Sequence, residues 1–252
     1  MQTKPFFSVI IPTLNEEKYL PRLLNCLCHQ TFKNFEIIVV DANSNDNTIR
    51  KVRKYQSFIP KLRLATSKIR NCRYQRNLGA KRATGEYLVL LEADVMVKSS
   101  YLREIHKTIT EEKAVFLTTW QEPDSSLVLD RGISAVLNLA MEFARIIRQP
   151  FSGAFNTIVR KDIFYKMKGF NENLRMSDDH DFAIRVHKAG YKLEILRNPL
   201  LLYSMRRFHS EGRVSVLIKY VQAAIYLIFL GPKTAKLNCV DYPMGGHVHR
   251  NN

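Results

Sequence analysis

The chain has 252 residues, 46% of them hydrophobic and 25% charged, which fits one globular domain, or one domain with an appendage, long enough to bury a real core. Lys and Arg number 39 against 23 Asp and Glu, a formal surplus of +16 that predicts a polyanionic partner: nucleic acid, a phosphorylated small molecule or an anionic membrane surface. Cys26, Cys28, Cys72 and Cys239 form no metal-type pair of CxxC units and the opening MQTKPFFSVIIP lacks a signal-peptide layout, so a cysteine metal cluster is excluded and a reducing, cytoplasmic compartment is expected.

Short apolar or β-branched runs of strand length occur at SVIIP (8–12), EIIVVD (36–41), LRLAT (62–66), YLVLLEAD (87–94) and AVFLTTW (114–120). Helical patterns fill the gaps. Leu20, Leu23, Leu24 and Leu27 build one apolar stripe, with Pro21 early enough for a first turn to tolerate it, and Cys26 and Cys28 read as small packing residues on that helix. NSNDNTIRKV opens like a capped helix. Strand and helix alternate to about residue 112, which argues for βαβ units and a mainly parallel sheet flanked by helices. Beyond residue 120, residues 129–148 read as an amphipathic helix, GAFNTIVRK as a loop entering a strand, and DDHDFAIRVHKAGY as a helix ended by Gly190. KLEIL, a second apolar run around LLYSM, the basic stretch RRFHSEGR and the hydrophobic window 214–230 follow.

In open α/β sheets ligands bind outside the carboxyl ends of the strands. The sequence places PTLNE (12–16), DANSND (41–46) and EAD (92–94) at those ends. No GxGxxG follows the first strand and no GxxxxGK[ST] occurs, so the dinucleotide and P-loop readings lose their usual support. Glu92 and Asp94 interrupt an otherwise apolar run, and unpaired carboxylates are costly to bury, so they are expected where the strand emerges to meet a cation. A hard divalent ion, Mg2+ or Mn2+, suits such oxygen ligands and leaves positions for phosphate oxygens; the alternative is that either acid caps a helix or forms a surface ion pair.

Taken together, VIIPTLNE, VVDANSNDNT, RNLGAKRATGEYLVLLEAD and GAFNTIVRKDIFYKMKGFNENLRMSDDHDFAIRVHKAGY, in that order and spacing, resemble the family 2 glycosyltransferases of GT-A fold over about residues 7–212. The resemblance implies an inverting enzyme that uses a nucleotide-diphosphate sugar, UDP- or GDP-linked, and a divalent cation. It implies that Asp41 reads the base, that Pro12, Thr13, Asn15 and Glu16 line the same pocket, and that Arg76 and Asn77 lie near the nucleotide. Asp94 would be the principal metal ligand, with Glu92 near ribose or a metal-bound water. Asp179, in the cluster Asp178, Asp179 and Asp181, would be the catalytic base, although acids at that place also favour a helix dipole. Two positions depart from the family pattern: Ala42 stands where a second consecutive Asp is common, and Glu92 where Asp is usual.

Gly153 in FSGAF matches a small-residue loop that admits a sugar, or is a plain turn glycine. Arg206, Arg207, His209 and Arg213 form a basic cluster in which the arginines would clamp phosphate and His209 would be a further metal ligand; a solvated basic turn is the alternative. Residues 213–252 read as a C-terminal hydrophobic or amphipathic helix and tail appended to a catalytic domain over 1–212. The window 214–230 is at the short edge for a membrane span, so an interfacial helix is expected. With the helix ISAVLNLAMEFARIIR and the basic surplus it points to peripheral attachment on the anionic inner face of the cell membrane, or else to packing on protein. The acceptor would then be a lipid-linked sugar, a polyprenyl phosphate or a growing surface glycan. The terminal His247 and His249 read as part of a tail. Two rival readings remain: a basic nucleic-acid binder, disfavoured because acidic clusters on the rim would repel a phosphate backbone, and a degenerate relative that binds nucleotide sugar without turning it over.

Overall fold

The structure is a computed structural model that describes residues 4–153, 155–174 and 177–230. The tail containing Cys239, His247 and His249 lies outside the described residues, as does Ala154 of FSGAF. In chain order the elements are β1 (Phe7–Thr13), α1 (Leu20–Cys28), β2 (Phe35–Asp41), α2 (Thr48–Gln56), β3 (Leu62–Thr66), α3 (Cys72–Arg82), β4 (Tyr87–Leu91), β5 (Met96–Val97) and α4 (Tyr101–Glu112). Then follow β6 (Phe116–Pro123), α5 (Val128–Ile146), β7 (Asn156–Arg160), α6 (Lys161–Lys166), α7 (Asp178–Lys188), β8 (Glu194–Tyr203), α8 (Arg206–Glu211) and α9 (Arg213–Leu230).

The strands form one eight-stranded sheet in the order β3-β2-β1-β4-β7-β6-β8-β5. β1, β2, β3 and β4 run parallel, as the alternating pattern predicts. β7 is antiparallel to both β4 and β6, β8 is parallel to β6, and β5 is antiparallel to β8, so the sheet as a whole is mixed. All seven residues of β1 and all seven of β2 are buried, which is why both read as unbroken apolar runs rather than as alternating ones. Strand alternation splits their side chains between two cores. Val9, Ile11, Ile37 and Val39 meet the Leu20, Leu23, Leu24 and Leu27 stripe of α1 on one face, while Ile10, Ile38 and Val40 meet Ala80 of α3 on the other.

Three local features sharpen the reading of the sequence. β4 stops at Leu91, so Glu92 and Asp94 belong to the following turn. The apolar runs at KLEIL and LLYSM fall largely in one strand, β8, whose pairing with β6 shifts register between Thr119 and Gln121. The basic stretch RRFHSEGR is helical as α8, followed directly by α9, whose Val216 is buried in the main core. Residues 213–222 therefore begin on the domain rather than beyond it.

α3 reaches the sheet at Gly79. A Cβ there would stand 2.4 Å from Ile10 Cγ2 and 3.2 Å from Val40 Cγ2. Gly79→Ala is expected to lower stability by about 1–3 kcal/mol through overpacking. Gly132→Ala, where a Cβ would meet nothing within 4 Å in the middle of α5, should raise it by up to about 1 kcal/mol. Urea midpoints of the two variants measure both, and equal midpoints would contradict the close α3 approach.

Candidate functional site

β1 lies between β2 and β4, so connections from neighbouring strands diverge at the β1/β4 boundary. This is a topological switch point, and the crevice forms beyond the carboxyl ends of those strands. The loop after β1 carries Asn15 and Glu16, and the turn after β4 carries Glu92 and Asp94.

The loops after β1 and β2 are laced together. The Asn15 amide donates to Ser44 Oγ at 2.8 Å, its side-chain oxygen accepts from the Asn45 amide at 2.8 Å, and the Glu16 amide donates to Thr48 Oγ1 at 2.8 Å. Asn15 and Asn43 both have left-handed backbone, at φ 56° and 61°, a conformation that asparagine accepts more readily than most residues. Asp46 rather than Asn47 serves the start of α2, accepting from the Thr48 amide at 2.9 Å. Asp41 is completely buried at the end of β2. Its carboxylate accepts from Thr13 Oγ1 at 3.0 Å, from the Ser44 amide at 2.8 Å and from Ser44 Oγ at 2.6 Å. Asp41 thus closes the turn that shapes the pocket wall. Pro12 and Thr13 are likewise buried strand residues.

In the turn after β4, Ala93 and Val95 are buried and hold the segment down, which leaves Glu92 and Asp94 facing the crevice. Their cations come from distant elements. Arg206, at the start of α8, brings Nε to 2.9 Å from Asp94 Oδ2 and grips Glu16 with two hydrogen bonds of 3.1 and 2.9 Å. Its guanidinium also lies 4.7 Å over the Tyr19 ring. Arg76, from α3, donates to Asp178 Oδ2 at 2.8 Å and to Glu92 Oε1 at 3.2 Å, and Arg73 stands 3.4 Å from Asp178. Burial raises the Asp94 carboxyl to about 7, with Glu92 and Glu16 adding to the rise and Arg206 opposing it.

α7 begins at this arginine-bound acid. Ser177, ahead of it, has left-handed backbone at φ 56°, so the chain turns sharply before the helix. Asp178 is buried against Arg76 and Arg73, whereas Asp179 is only partly buried. Loss of hydration, reinforced by the neighbouring Asp178 charge, raises the Asp179 carboxyl to about 6, against the pull of Arg76. Asp181 belongs to a separate ion pair, accepting from Arg185 at 2.7 Å.

Not every expected residue converges. Asn77 donates to the Phe170 carbonyl at 2.9 Å and to Glu172 at 2.7 Å, and accepts from the Phe170 amide at 2.9 Å, so it fixes the 169–172 turn rather than facing the crevice. His209, expected as a metal ligand, instead places Nε2 3.5 Å from Asp130 Oδ2, drawn to the same buried carboxylate that Arg213 binds at 2.7 Å. Arg207 lies 3.8 Å from Glu211 on its own helix. Gly153 has φ 72° and accepts from the Asn156 amide at 3.0 Å, a turn that a β-carbon would strain. Sequence reading did not find Tyr19 and Arg73, because nothing local to either residue shows a contact with a group 75 or more positions away.

Among the described residues no three His, Cys, Asp or Glu side chains are gathered in a ready-made metal cage. Asp94 and Glu92 nevertheless fit a divalent cation of the Mg2+ or Mn2+ type. They offer oxygen donors only, they share excess negative charge with Glu16, and two carboxylates leave positions for phosphate oxygens and water.

Comparison with known proteins identifies the family and the fold. The family model described as Glycosyl transferase family 2 matches residues 8–168. The poly(ribitol-phosphate) β-N-acetylglucosaminyltransferase TarS of Staphylococcus aureus is 27% identical over 215 residues, a match covering 80% of this chain and 36% of TarS. The chain thus spans little more than a third of that relative. A crystal structure of TarS residues 1–349 with UDP-GlcNAc superposes with TM-score 0.66 at 24% identity, over 79% of this chain and 58% of that one. A dolichyl N-acetyl-α-D-glucosaminyl phosphate 3-β-D-2,3-diacetamido-2,3-dideoxy-β-D-glucuronosyltransferase of Methanococcus voltae is 27% identical over 241 residues, covering 85% of this chain and 70% of that protein. The mannosyltransferase PcManGT of Pyrobaculum calidifontis, in complex with GDP-Man and Mn2+, shares the fold at TM-score 0.69 and 20% identity, over 93% of this chain and 73% of the other. With the family model covering well over half of its length, the chain belongs to glycosyl transferase family 2.

Proposed function

We propose that the chain is a metal-dependent, inverting glycosyltransferase that moves a sugar from a UDP- or GDP-linked donor to a hydroxyl of a surface glycan or a lipid-linked acceptor. The observation that carries this reading is the Arg76 bridge, which ties Glu92, next but one to Asp94, to Asp178, next to Asp179, and so supports assigning the cation site and the base to neighbouring segments. Family membership and the likeness to proteins bound to UDP-GlcNAc and GDP-Man support a nucleotide-sugar donor.

Asp94, with Glu92 at its side, would hold Mg2+ or Mn2+, which when bound supplies positive charge against the departing diphosphate. Arg206 neutralises Asp94 and Glu16 in the structure, and its fork of donors suits phosphate oxygens once the donor is in place. Asp179 would take the proton from the acceptor hydroxyl as that oxygen attacks the anomeric carbon. The bond from this carbon to the diphosphate oxygen breaks at the same time, and its electron pair leaves with the nucleoside diphosphate. Arg76 fixes the Asp178 carboxylate beside the base, and burial together with this acidic neighbour raises the affinity of Asp179 for protons. A carboxyl near 6 is still mostly ionised at neutral pH, yet it accepts a proton more readily than an ordinary aspartate does.

Three results are expected. Asp94→Ala should abolish Mn2+-dependent binding of UDP or GDP in calorimetry, and unchanged affinity would remove Asp94 from the cation site. Asp179→Asn should lower kcat by about a hundredfold or more while leaving donor affinity within roughly twofold. Because the base works deprotonated and its carboxyl is raised to about 6, kcat at saturating metal and donor should be level above that pH and fall about tenfold per unit below it. A flat profile between pH 5 and 7 would contradict the assignment.

A further inference from the structure

α5 buries a row of polar side chains beside Ile133 and Met141 and leaves a broad apolar face outward. Asp130, Ser134, Asn138 and Glu142 recur every four positions, and all are buried. Each has a partner on the protein side: Ser134 and Asn138 donate to the Gln121 carbonyl at 2.8 and 3.0 Å, Asp130 binds Arg213 at 2.7 Å, and Glu142 binds Arg197 at 2.9 Å. The opposite face carries Val128, Leu129, Val136, Leu139, Phe143 and Ile146, each between 61% and 84% exposed. An ordinary surface helix does the reverse. Here the inward polar groups are satisfied, and the outward apolar ones lack a covering medium among the described residues.

We propose that this face of α5 seats the protein on an anionic lipid bilayer, with the helix lying in the plane of the interface. Charge decides for lipid over a second copy of the chain. The helix's two acids, Asp130 and Glu142, are turned inward and neutralised by arginine, whereas Arg131 and Arg148, near its two ends, are exposed. Pairing two copies of the face would set arginine against arginine in either orientation, because both ends are basic. Anionic headgroups complement both ends, and the overall surplus of +16 acts in the same direction. α9 adds Val214, Ile218 and Val221, each at least half exposed, on the helix that Arg213 ties to α5. No helix among the described residues is long and apolar enough to cross a membrane, so the contact is with one surface. His209 also reaches Asp130, so α5 lies beside α8, the helix that presents Arg206 to the crevice.

The test uses the full chain in flotation with phosphatidylcholine vesicles containing about one third phosphatidylglycerol, and with phosphatidylcholine alone. The wild type should float with the anionic vesicles. Arg131→Gln combined with Arg148→Gln should weaken binding roughly thirtyfold, and Phe143→Glu combined with Val136→Glu should abolish it. All variants should keep wild-type circular dichroism and nucleotide affinity, because neither set touches the crevice. Failure of the wild type to float, or flotation unchanged in the glutamate variant, overturns the proposal. So does a wild-type dimer in sedimentation that the glutamate variant turns into a monomer, since the face would then belong to a second copy. The outcome is independent of whether sugar transfer is observed.

Discussion

A guanidinium with 1% of its surface exposed persists in a protein interior only if anions surround it. Arg76 meets that condition through Glu92, from the turn after β4, and Asp178, from the first turn of α7. Removing one member of such a buried pair costs about 3–5 kcal/mol, because the charge left behind has no water to turn to. The start of α7 is therefore held against the rim of the sheet by the same group that faces the turn after β4. Arg76 can sit there only because α3 approaches β1 and β2 closely, which Gly79 permits.

The electrostatics of the crevice follow from an imbalance. Glu16, Glu92, Asp94, Asp178 and Asp179 gather around Arg73, Arg76 and Arg206, five carboxylates against three guanidiniums. Carboxylates in excess, with little water around them, bind protons more tightly, and both Asp94 and Asp179 are shifted upward. A divalent cation would restore balance at the Asp94 end of the crevice. At the other end, burial and the adjacent Asp178 keep the Asp179 carboxyl above the usual range, which is the condition a general base requires.

α5 shows how far a sequence pattern reaches. The spacing of its apolar residues correctly announces an amphipathic helix over nearly the observed span, but periodicity is the same whichever face turns inward. The inward choice was made by partners supplied elsewhere: the Gln121 backbone on β6, Arg197 on β8 and Arg213 at the start of α9. Asp41 and His209 carry a similar lesson. Their residue types suggest base recognition and metal binding, and only the fold shows that the first also closes its own turn and that the second stands beside Asp130.

The sequence by itself determined the order of strands and helices in the first half of the chain, the placement of PTLNE, DANSND and EAD beyond strand ends, and the family. These are properties of local periodicity and of ordered motifs, which need no partner to be read. Only the tertiary structure decided that β7 reverses the sheet, that β8 is one strand, that Arg206 grips Glu16 and Asp94 from the far end of the domain, and that α5 turns its polar side inward. Each of these rests on contacts between groups well separated along the chain. Their free energy depends on burial and on the distance between charges, and neither quantity exists until the chain has folded.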